Sequence, residues 1–206
     1  PVISPLYSLY LYHVHMISFG VNLSTPHPYM SQPWGWIVLS RPVAFYYQGF
    51  ANAAGTRPCP AAGCPPGPSW SSEVLPLGNP AIWWVAIPVM LFCAGWWLTR
   101  RDWRAGATLL CIAAGWLPWF LFLARTKFSY YSLEFLPFLI LALTLCLGLI
   151  TGRARAGRGR RVAGAAIAGA YVLAVIIVFW YFYPLYTAQV IPYPSWAARI
   201  WYYGWI

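Results

Sequence analysis

Four long apolar segments are the feature that most limits what this chain can fold into. They span residues 80–98, 105–123, 131–150 and 162–182. Each approaches the roughly 20 residues that an α-helix needs to cross a bilayer, because one helical residue rises about 1.5 Å. Only 8% of the 206 residues are charged, against about 25% in a soluble domain. The sequence therefore predicts an all-α integral membrane protein with four transmembrane helices, and it excludes a water-soluble globule, a disordered chain and a coiled coil.

The arginines between these segments predict the orientation of the bundle. Eight of the 13 basic residues lie in two loops, which join the first segment to the second and the third to the fourth. Loops rich in Lys and Arg stay on the cytoplasmic side. Residues 1–79 and the tail 183–206 are therefore expected to be extracytoplasmic. This topology explains the net charge of +10, and nucleic-acid binding is not expected, since the chain lacks a broad basic face.

The region before the first segment predicts interfacial helices joined by loops. Residues 1–19 are rich in Tyr, Leu, His and Met, and suit a helix lying along the membrane surface. Residues 34–47 are apolar but interrupted by Arg41 and Pro42, which favours a re-entrant or interfacial element. A loop rich in Gly, Pro and Ser follows. It contains Cys59 and Cys64, which are expected to form a disulfide, because an exported loop is in an oxidising place.

Small residues within 164–170 of the fourth segment, such as Ala165 and Gly169, stand four positions apart. This spacing lets two membrane helices approach closely. The stretch is therefore expected to pack against a neighbouring helix.

Arg125 and Lys127 depart from the charge rule, because they lie in the short loop on the side expected to face outward. Their side chains either snorkel to the interface or form an anion site. Arg binds phosphate through two parallel hydrogen bonds and Lys adds a point charge. Glu134 lies one turn into the third segment, and either pairs with one of these cations or reaches the interface.

The histidines and cysteines do not predict a metal site, and no cofactor is expected. His13 and His15 are two positions apart, so they lie on different faces of a helix. A second cysteine pair or a suitably spaced histidine, as structural zinc sites require, does not accompany Cys59 and Cys64.

Several short motifs, taken in order, resemble the C-terminal region of protein O-mannosyltransferases. The first group is His27-Pro28-Tyr29, Ser31, Pro33-Trp34, Trp36, Arg41-Pro42 and Tyr46-Tyr47. The second is Leu77-Gly78-Asn79-Pro80 followed by Trp83-Trp84, and then Arg125, Phe128, Tyr130-Tyr131 and Pro137. The ending, Trp196 to Trp201 and Gly204-Trp205-Ile206, resembles the actinobacterial members.

The resemblance implies a membrane glycosyltransferase with a larger multi-span fold of the GT-C type. Such an enzyme moves mannose, with inversion, from a polyprenyl-phosphate mannose donor to Ser or Thr hydroxyls of exported proteins in the cell membrane. Together with the charge placement, it assigns Arg125 and Lys127 to the lipid phosphate. Six further residues are expected to line the outer cavity: His27, Tyr29, Ser31, Trp34, Arg41 and Tyr130.

The chain departs from the family pattern in its acidic residues. The family's catalytic Asp-Glu pair belongs to an outer loop of the N-terminal half, and this sequence contains no such pair. Asp102 is its only Asp and lies in a loop expected to be cytoplasmic. Because this pair is missing and the family has about twice as many spans as the four in this sequence, we expect the chain to be the C-terminal part of the enzyme, or a truncated relative, and to need the N-terminal half. The alternatives are a non-catalytic scaffold subunit and a lipid-linked sugar transferase with a lipid or glycan acceptor.

Overall fold

The computed structural model describes residues 3–51, 69–152 and 156–206, and it is built mainly from helices. The helices are α1 (Ile3–Asn22), α2 (Pro33–Trp36), α3 (Pro80–Trp83), α4 (Ala86–Arg100), α5 (Trp103–Trp116), α6 (Leu136–Thr151), α7 (Arg158–Tyr186) and α8 (Tyr193–Ala197). The strands are β1 (Tyr46–Ala51), β2 (Ser69–Val74) and β3 (Ile191–Pro192). Short 3-10 helices lie at Leu117–Leu121, Ser129–Glu134 and Tyr203–Trp205. The predicted helical membrane architecture is confirmed.

Three helical stretches in the described part of the chain are long and apolar enough to cross a membrane. They are Pro80–Arg100, Trp103–Leu121 and Arg158–Tyr186. The third predicted segment forms a shorter apolar helix, α6, which follows the 3-10 helix at Ser129–Glu134. Helix α7 has 29 residues, or about 44 Å at 1.5 Å per residue. It therefore exceeds a hydrocarbon core of roughly 30 Å, and its arginine-rich first turn extends beyond the expected start at residue 162.

A tight turn makes α4 and α5 antiparallel neighbours. Arg101 ends α4 in the left-handed backbone region, with φ 52°. The carboxylate of Asp102 then caps α5, because its Oδ1 accepts a hydrogen bond from the Arg104 amide at 3.1 Å. The same carboxylate forms an ion pair with the Arg104 guanidinium at 2.7 Å. A turn this short places two arginines at one end of the bundle.

Helices α6 and α7 approach each other closely at Gly164. A Cβ atom built on this glycine would lie 2.3 Å from the Ile150 carbonyl oxygen and 2.7 Å from the Thr151 Cα. At Gly169 the same construction meets nothing within 4 Å among the described residues. The expected close packing within residues 164–170 therefore occurs at the first glycine and not at the second.

Gly164→Ala is expected to destabilise the protein, since the added methyl group must displace backbone atoms of α6. Overpacking of this kind costs about 1–3 kcal/mol. Gly169→Ala is the matched control and should be neutral or slightly stabilising, because Ala favours a helix over Gly. Thermal unfolding of the purified full-length variants measures the difference. Equal melting temperatures would contradict the packing described here.

A three-stranded antiparallel sheet lies at the end of the bundle opposite the α4–α5 turn. Strands β1 and β2 pair from Tyr46 opposite Val74 to Ala51 opposite Ser69. Strand β3 comes from the C-terminal tail and pairs with β2 through Trp70 and Pro192. The sequence analysis did not predict this sheet. Residues 34–47 form part of α2, a turn, an extended stretch and the start of β1. That this stretch is re-entrant or interfacial stays a prediction.

The C-terminal tail is fixed in this sheet layer, which we call the cap (residues 33–51, 69–79 and 187–206). The Trp205 side chain is completely buried, and its Nε1 donates a hydrogen bond to the Leu39 carbonyl at 2.5 Å. A Cβ on Gly204 would lie 2.3 Å from the Ser40 carbonyl oxygen, so only glycine fits there. Residues 187–206 are therefore a packed part of the cap.

A buried carboxylate joins the tail to the central strand of the cap. Glu73 on β2 is 4% exposed, and its Oε2 accepts a hydrogen bond from the Trp196 Nε1 at 2.5 Å. Burial raises the pKa of the Glu73 carboxyl, and the hydrogen bond from Trp196 lowers it by a smaller amount. Between its ordinary pKa and this raised value, the folded state holds more protons than the unfolded state, so stability falls as pH rises through that window.

Glu73→Gln is therefore expected to melt a few degrees higher than the parent near neutral pH. The amide oxygen still accepts the bond from Trp196, but no charge is buried. The gain should shrink as the pH falls below the ordinary pKa of a glutamic acid, where both proteins are uncharged at this position. A pH series of melting curves checks this, with Glu134→Gln as a control at an exposed carboxylate. A gain that does not depend on pH would contradict the burial argument.

Helix α1 lies outside the packed core. None of its 20 residues is buried. The helix expected over residues 1–19 is present as α1. Its last turn reaches the loop that carries Arg125, since a Cβ on Gly20 would lie 3.7 Å from the Arg125 Nη2. Whether α1 lies along the membrane surface stays a prediction.

Candidate functional site

The loop that carries Arg125 lies against the proline-rich stretch near residue 27. The Thr126 amide donates a hydrogen bond to the Leu23 carbonyl, and the Ser31 amide donates one to the Lys127 carbonyl, both at 2.9 Å. The His27 ring meets Phe128 edge to face, with centroids 5.1 Å apart. Two stretches about 100 residues apart in sequence therefore form one surface, which we call the Arg125 end of the bundle.

Arg125 lies against a pair of stacked aromatic rings at this surface. Its guanidinium carbon lies 5.2 Å from the Trp119 ring centroid and 5.9 Å from that of Tyr131. These two rings stack on each other, with centroids 4.6 Å apart. The aromatic faces hold the cation by cation–π attraction without using its hydrogen-bond donors. The Arg125 Nε is buried and has no hydrogen-bond partner among the described residues.

Among the residues that the structure describes, no acid forms an ion pair with Arg125. The described residues contain an ion pair between Arg104 and Asp102, with a nitrogen-to-oxygen distance below 4.0 Å, and it lies at the other end of the bundle. Glu134 pairs with neither Arg125 nor Lys127; it is exposed, and its Oε2 accepts a hydrogen bond from the Trp119 Nε1 at 3.3 Å. Arg125, Trp119 and Glu134 line one small cavity of about 150 Å³. An unpaired guanidinium with free donors is suited to bind an anion such as phosphate.

Lys127 is placed differently from Arg125. Its side chain is fully buried, and its Nζ donates a hydrogen bond to the Phe122 carbonyl at 2.7 Å. Burial lowers the pKa of this ammonium group, and the nearby charge of Arg125 lowers it further. The lysine thus ties the loop together from inside, and its charge lies beneath the surface that Arg125 exposes.

The six residues expected to line an outer cavity collect at the Arg125 end at different depths, and none of them lines the cavity of about 150 Å³ described above. His27 and Trp34 are exposed. Arg41 lies over the Tyr29 ring, 5.9 Å from its centroid, and its Nε donates a hydrogen bond to the Pro28 carbonyl at 2.7 Å.

Tyr130 and Ser31 complete this set. The Tyr130 ring stacks on Phe128, with centroids 5.3 Å apart. Ser31 is buried, and its hydroxyl accepts a hydrogen bond from the Trp36 Nε1 at 2.9 Å. Its position supports the surface from below, whereas the other five lie on or near it.

Trp119 is the site residue that the sequence reasoning missed. It contacts both Arg125 and Glu134, although no motif in the sequence singled it out. The one sequence signal was its position six residues before the unexpected cation. In a continuous α-helix, residues six positions apart do not lie on the same face. Trp119 and Arg125 meet because a 3-10 turn and the loop after it lie between them.

Asp102 is at the opposite end of the bundle, where hydrogen bonds from Arg104 hold the pKa of its carboxyl well below its ordinary range. Cys59 and Cys64 lie outside the described residues, so their disulfide stays a prediction.

Comparison with known proteins gives the same family over almost the whole chain. Residues 5–205 match the model of the C-terminal four-transmembrane region of protein O-mannosyltransferase. A polyprenol-phosphate-mannose–protein mannosyltransferase from Mycobacterium tuberculosis is 34% identical over 210 residues, covering 100% of this chain and 38% of that protein. The enzyme of the same name from Mycolicibacterium smegmatis is 35% identical over 213 residues, covering 100% of this chain and 39% of that protein.

A more distant relative agrees with these two. The Corynebacterium glutamicum protein of the same name is 28% identical over 198 residues, covering 94% of this chain and 36% of its own length. The chain thus spans well under half the length of the curated relatives that it matches. On this evidence, the chain belongs to the protein O-mannosyltransferase family and corresponds to its C-terminal four-transmembrane region.

Proposed function

We propose that this chain is the C-terminal part of a membrane enzyme that transfers mannose from polyprenyl-phosphate mannose to Ser or Thr hydroxyls of exported proteins. The names of the mycobacterial and corynebacterial relatives support the donor and the protein acceptor. The observation that carries the proposal is the unpaired guanidinium of Arg125 with its buried, unsatisfied Nε. This cation meets the need of a transferase whose donor is joined to its sugar through a phosphate.

Arg125 contacts the phosphate of the donor in this proposal. During the displacement, the acceptor hydroxyl oxygen bonds to the anomeric carbon as the bond from that carbon to the phosphate oxygen breaks. Negative charge grows on the departing polyprenyl phosphate, and the guanidinium stabilises it. Lys127 adds positive potential from beneath the loop, and the other site residues line the donor and acceptor cavity.

The proton of the acceptor hydroxyl goes to a carboxylate base. The acidic residues of this chain do not suit that role. Glu73 is buried in the cap, Asp102 lies at the opposite end of the bundle, and Glu134 is bonded to Trp119. We propose that the base is an Asp-Glu pair in the N-terminal half of the enzyme, and that this chain alone is inactive.

The direction of the bundle follows from its charges. We propose that the end with the α4–α5 turn and the first turn of α7 faces the cytoplasm, because the loops there are rich in arginine, and that the Arg125 end and the cap face outward, in the cell membrane. Exported proteins then meet the enzyme on the side where its phosphate site lies.

The test is a transfer assay with the purified full-length protein in liposomes. Polyprenyl-phosphate mannose is offered with a Ser/Thr peptide, and in parallel with lipid and glycan acceptors. We expect mannosyl peptide with inverted configuration. Mannosylation of the lipid or glycan alone would support a different lipid-linked transferase. Activity that appears only after a separate Asp-Glu-bearing chain is added would support a scaffold.

A further inference from the structure

A large cavity lies between the described helices, at the end of the bundle opposite to Arg125. Its volume is about 1210 Å³, larger than the roughly 300–1,000 Å³ of typical small-molecule sites. The end of α4, the α4–α5 turn, the second half of α6 and the start of α7 form its walls. The proposed mannosyl transfer does not use this cavity.

Three arginines line the rim of this cavity. Arg104 is bound in a fork to Asp102, with distances of 3.0 and 2.7 Å, so its charge is compensated. Arg100 lies over the Trp96 ring, 5.6 Å from its centroid, which leaves its hydrogen-bond donors free of an acid. Arg160 is exposed, and its Nε lies 3.5 Å from the position of a Cβ on Gly152. Two uncompensated positive charges therefore border the cavity.

The floor of the cavity is apolar. Leu145 and Leu149 of α6 line it, and Gly148 between them leaves space where a Cβ would meet nothing within 4 Å among the described residues. Trp96 and Trp103 also line the cavity, Trp96 in contact with Arg100 and Trp103 next to Arg104 in sequence, and aromatic rings mark the headgroup layer of a membrane. Cationic groups above an apolar wall match an amphiphile with an anionic head.

We propose that this cavity binds an anionic glycerophospholipid of the cytoplasmic leaflet, with its phosphate at Arg100 and Arg160 and an acyl chain along Leu145 and Leu149. Basic pockets between membrane helices on the cytoplasmic side hold such headgroups. The proposal rests on the orientation proposed above, and it is independent of mannosyl transfer. The site is structural and lies on the opposite side of the membrane from the donor phosphate.

The test is native mass spectrometry of the full-length protein with added phosphatidylglycerol or phosphatidylcholine. We expect one retained phosphatidylglycerol per protein and a clear preference over phosphatidylcholine. The double variant Arg100→Ala/Arg160→Ala should bind phosphatidylglycerol roughly 30-fold more weakly, at about 1 kcal/mol per arginine. The double variant Arg100→Lys/Arg160→Lys should keep most of the binding, which separates loss of charge from loss of folding.

Arg158→Ala/Arg161→Ala is the matched control. It removes two exposed arginines from the same end of the bundle, but neither lines the cavity. Equal weakening by both double variants would overturn the site in favour of a diffuse basic surface. Three other results would also overturn the site. The protein could show no preference for phosphatidylglycerol, or millimolar inorganic phosphate could displace the lipid. The protein could also retain no lipid, because another segment fills the cavity.

Discussion

The full-length enzyme carrying Arg125→Ala is expected to lose about 10- to 100-fold in kcat/KM for polyprenyl-phosphate mannose. A hydrogen bond to a charged group is worth about 1.5–3 kcal/mol, and each 1.4 kcal/mol is a factor of ten. Stability should change little, because the guanidinium has no acid partner and its cation–π contacts contribute only about 0.5–1 kcal/mol. Initial rates at varied donor concentration, with melting curves alongside, measure both effects.

Two further variants separate charge from geometry at this position. Arg125→Lys keeps a cation but loses the planar fork, so its rate should lie between those of the parent and the alanine variant. Lys127→Met should chiefly change the melting temperature, since Lys127 is buried and bonds the Phe122 carbonyl. Unchanged donor kinetics in Arg125→Ala would remove Arg125 from the phosphate site. A larger rate loss in Lys127→Met than in Arg125→Ala would reverse the two roles.

Trp205→Ala is expected to be the most destabilising single change in the cap. Removing a fully buried tryptophan costs about 3–5 kcal/mol, and this one also donates a hydrogen bond to the Leu39 carbonyl. Its ring packs against Phe182 near the end of α7, with centroids 5.9 Å apart. The variant should therefore loosen the tail from the membrane helices as well as from the cap, as a large fall in melting temperature.

Tyr203→Ala is the control for this change. Tyr203 belongs to the same 3-10 turn and is 92% exposed, so its removal should alter the melting temperature by only a degree or two. Limited proteolysis adds a local measurement, since a released tail should be cut in Trp205→Ala and protected in Tyr203→Ala. Equal protection and equal melting in the two variants would contradict the anchoring role.

The helical core could be predicted from the sequence because length and hydropathy alone specify a membrane helix. The sheet could not. Strand β1 is only six residues long and contains Gly49, its partner β2 lies beyond residues 52–68, and β3 comes from the distant tail. Pairing of short strands across such separations leaves no local pattern to read.

The candidate site, like the fold, could be predicted from the sequence only in part. The sequence shows a positive charge in a short loop on the side expected to carry few basic residues, and this placement identified Arg125 as a candidate. The different depths of Arg125 and Lys127 were not visible, since they depend on a hydrogen bond to the Phe122 carbonyl and on stacking between Trp119 and Tyr131. Charge placement thus identifies which residues to consider, and packing decides which of them meets a ligand.

Photoaffinity labelling tests the central claim, that the donor phosphate binds at the Arg125 end, most directly. A polyprenyl-phosphate mannose analogue with a photoreactive group next to the phosphate is cross-linked to the full-length enzyme in membranes, and the labelled peptides are sequenced. We expect label within residues 115–134, suppressed by unlabelled donor and weakened in Arg125→Ala. Donor-suppressible label confined to the arginine-rich loops, or to segments outside this chain, would contradict the account.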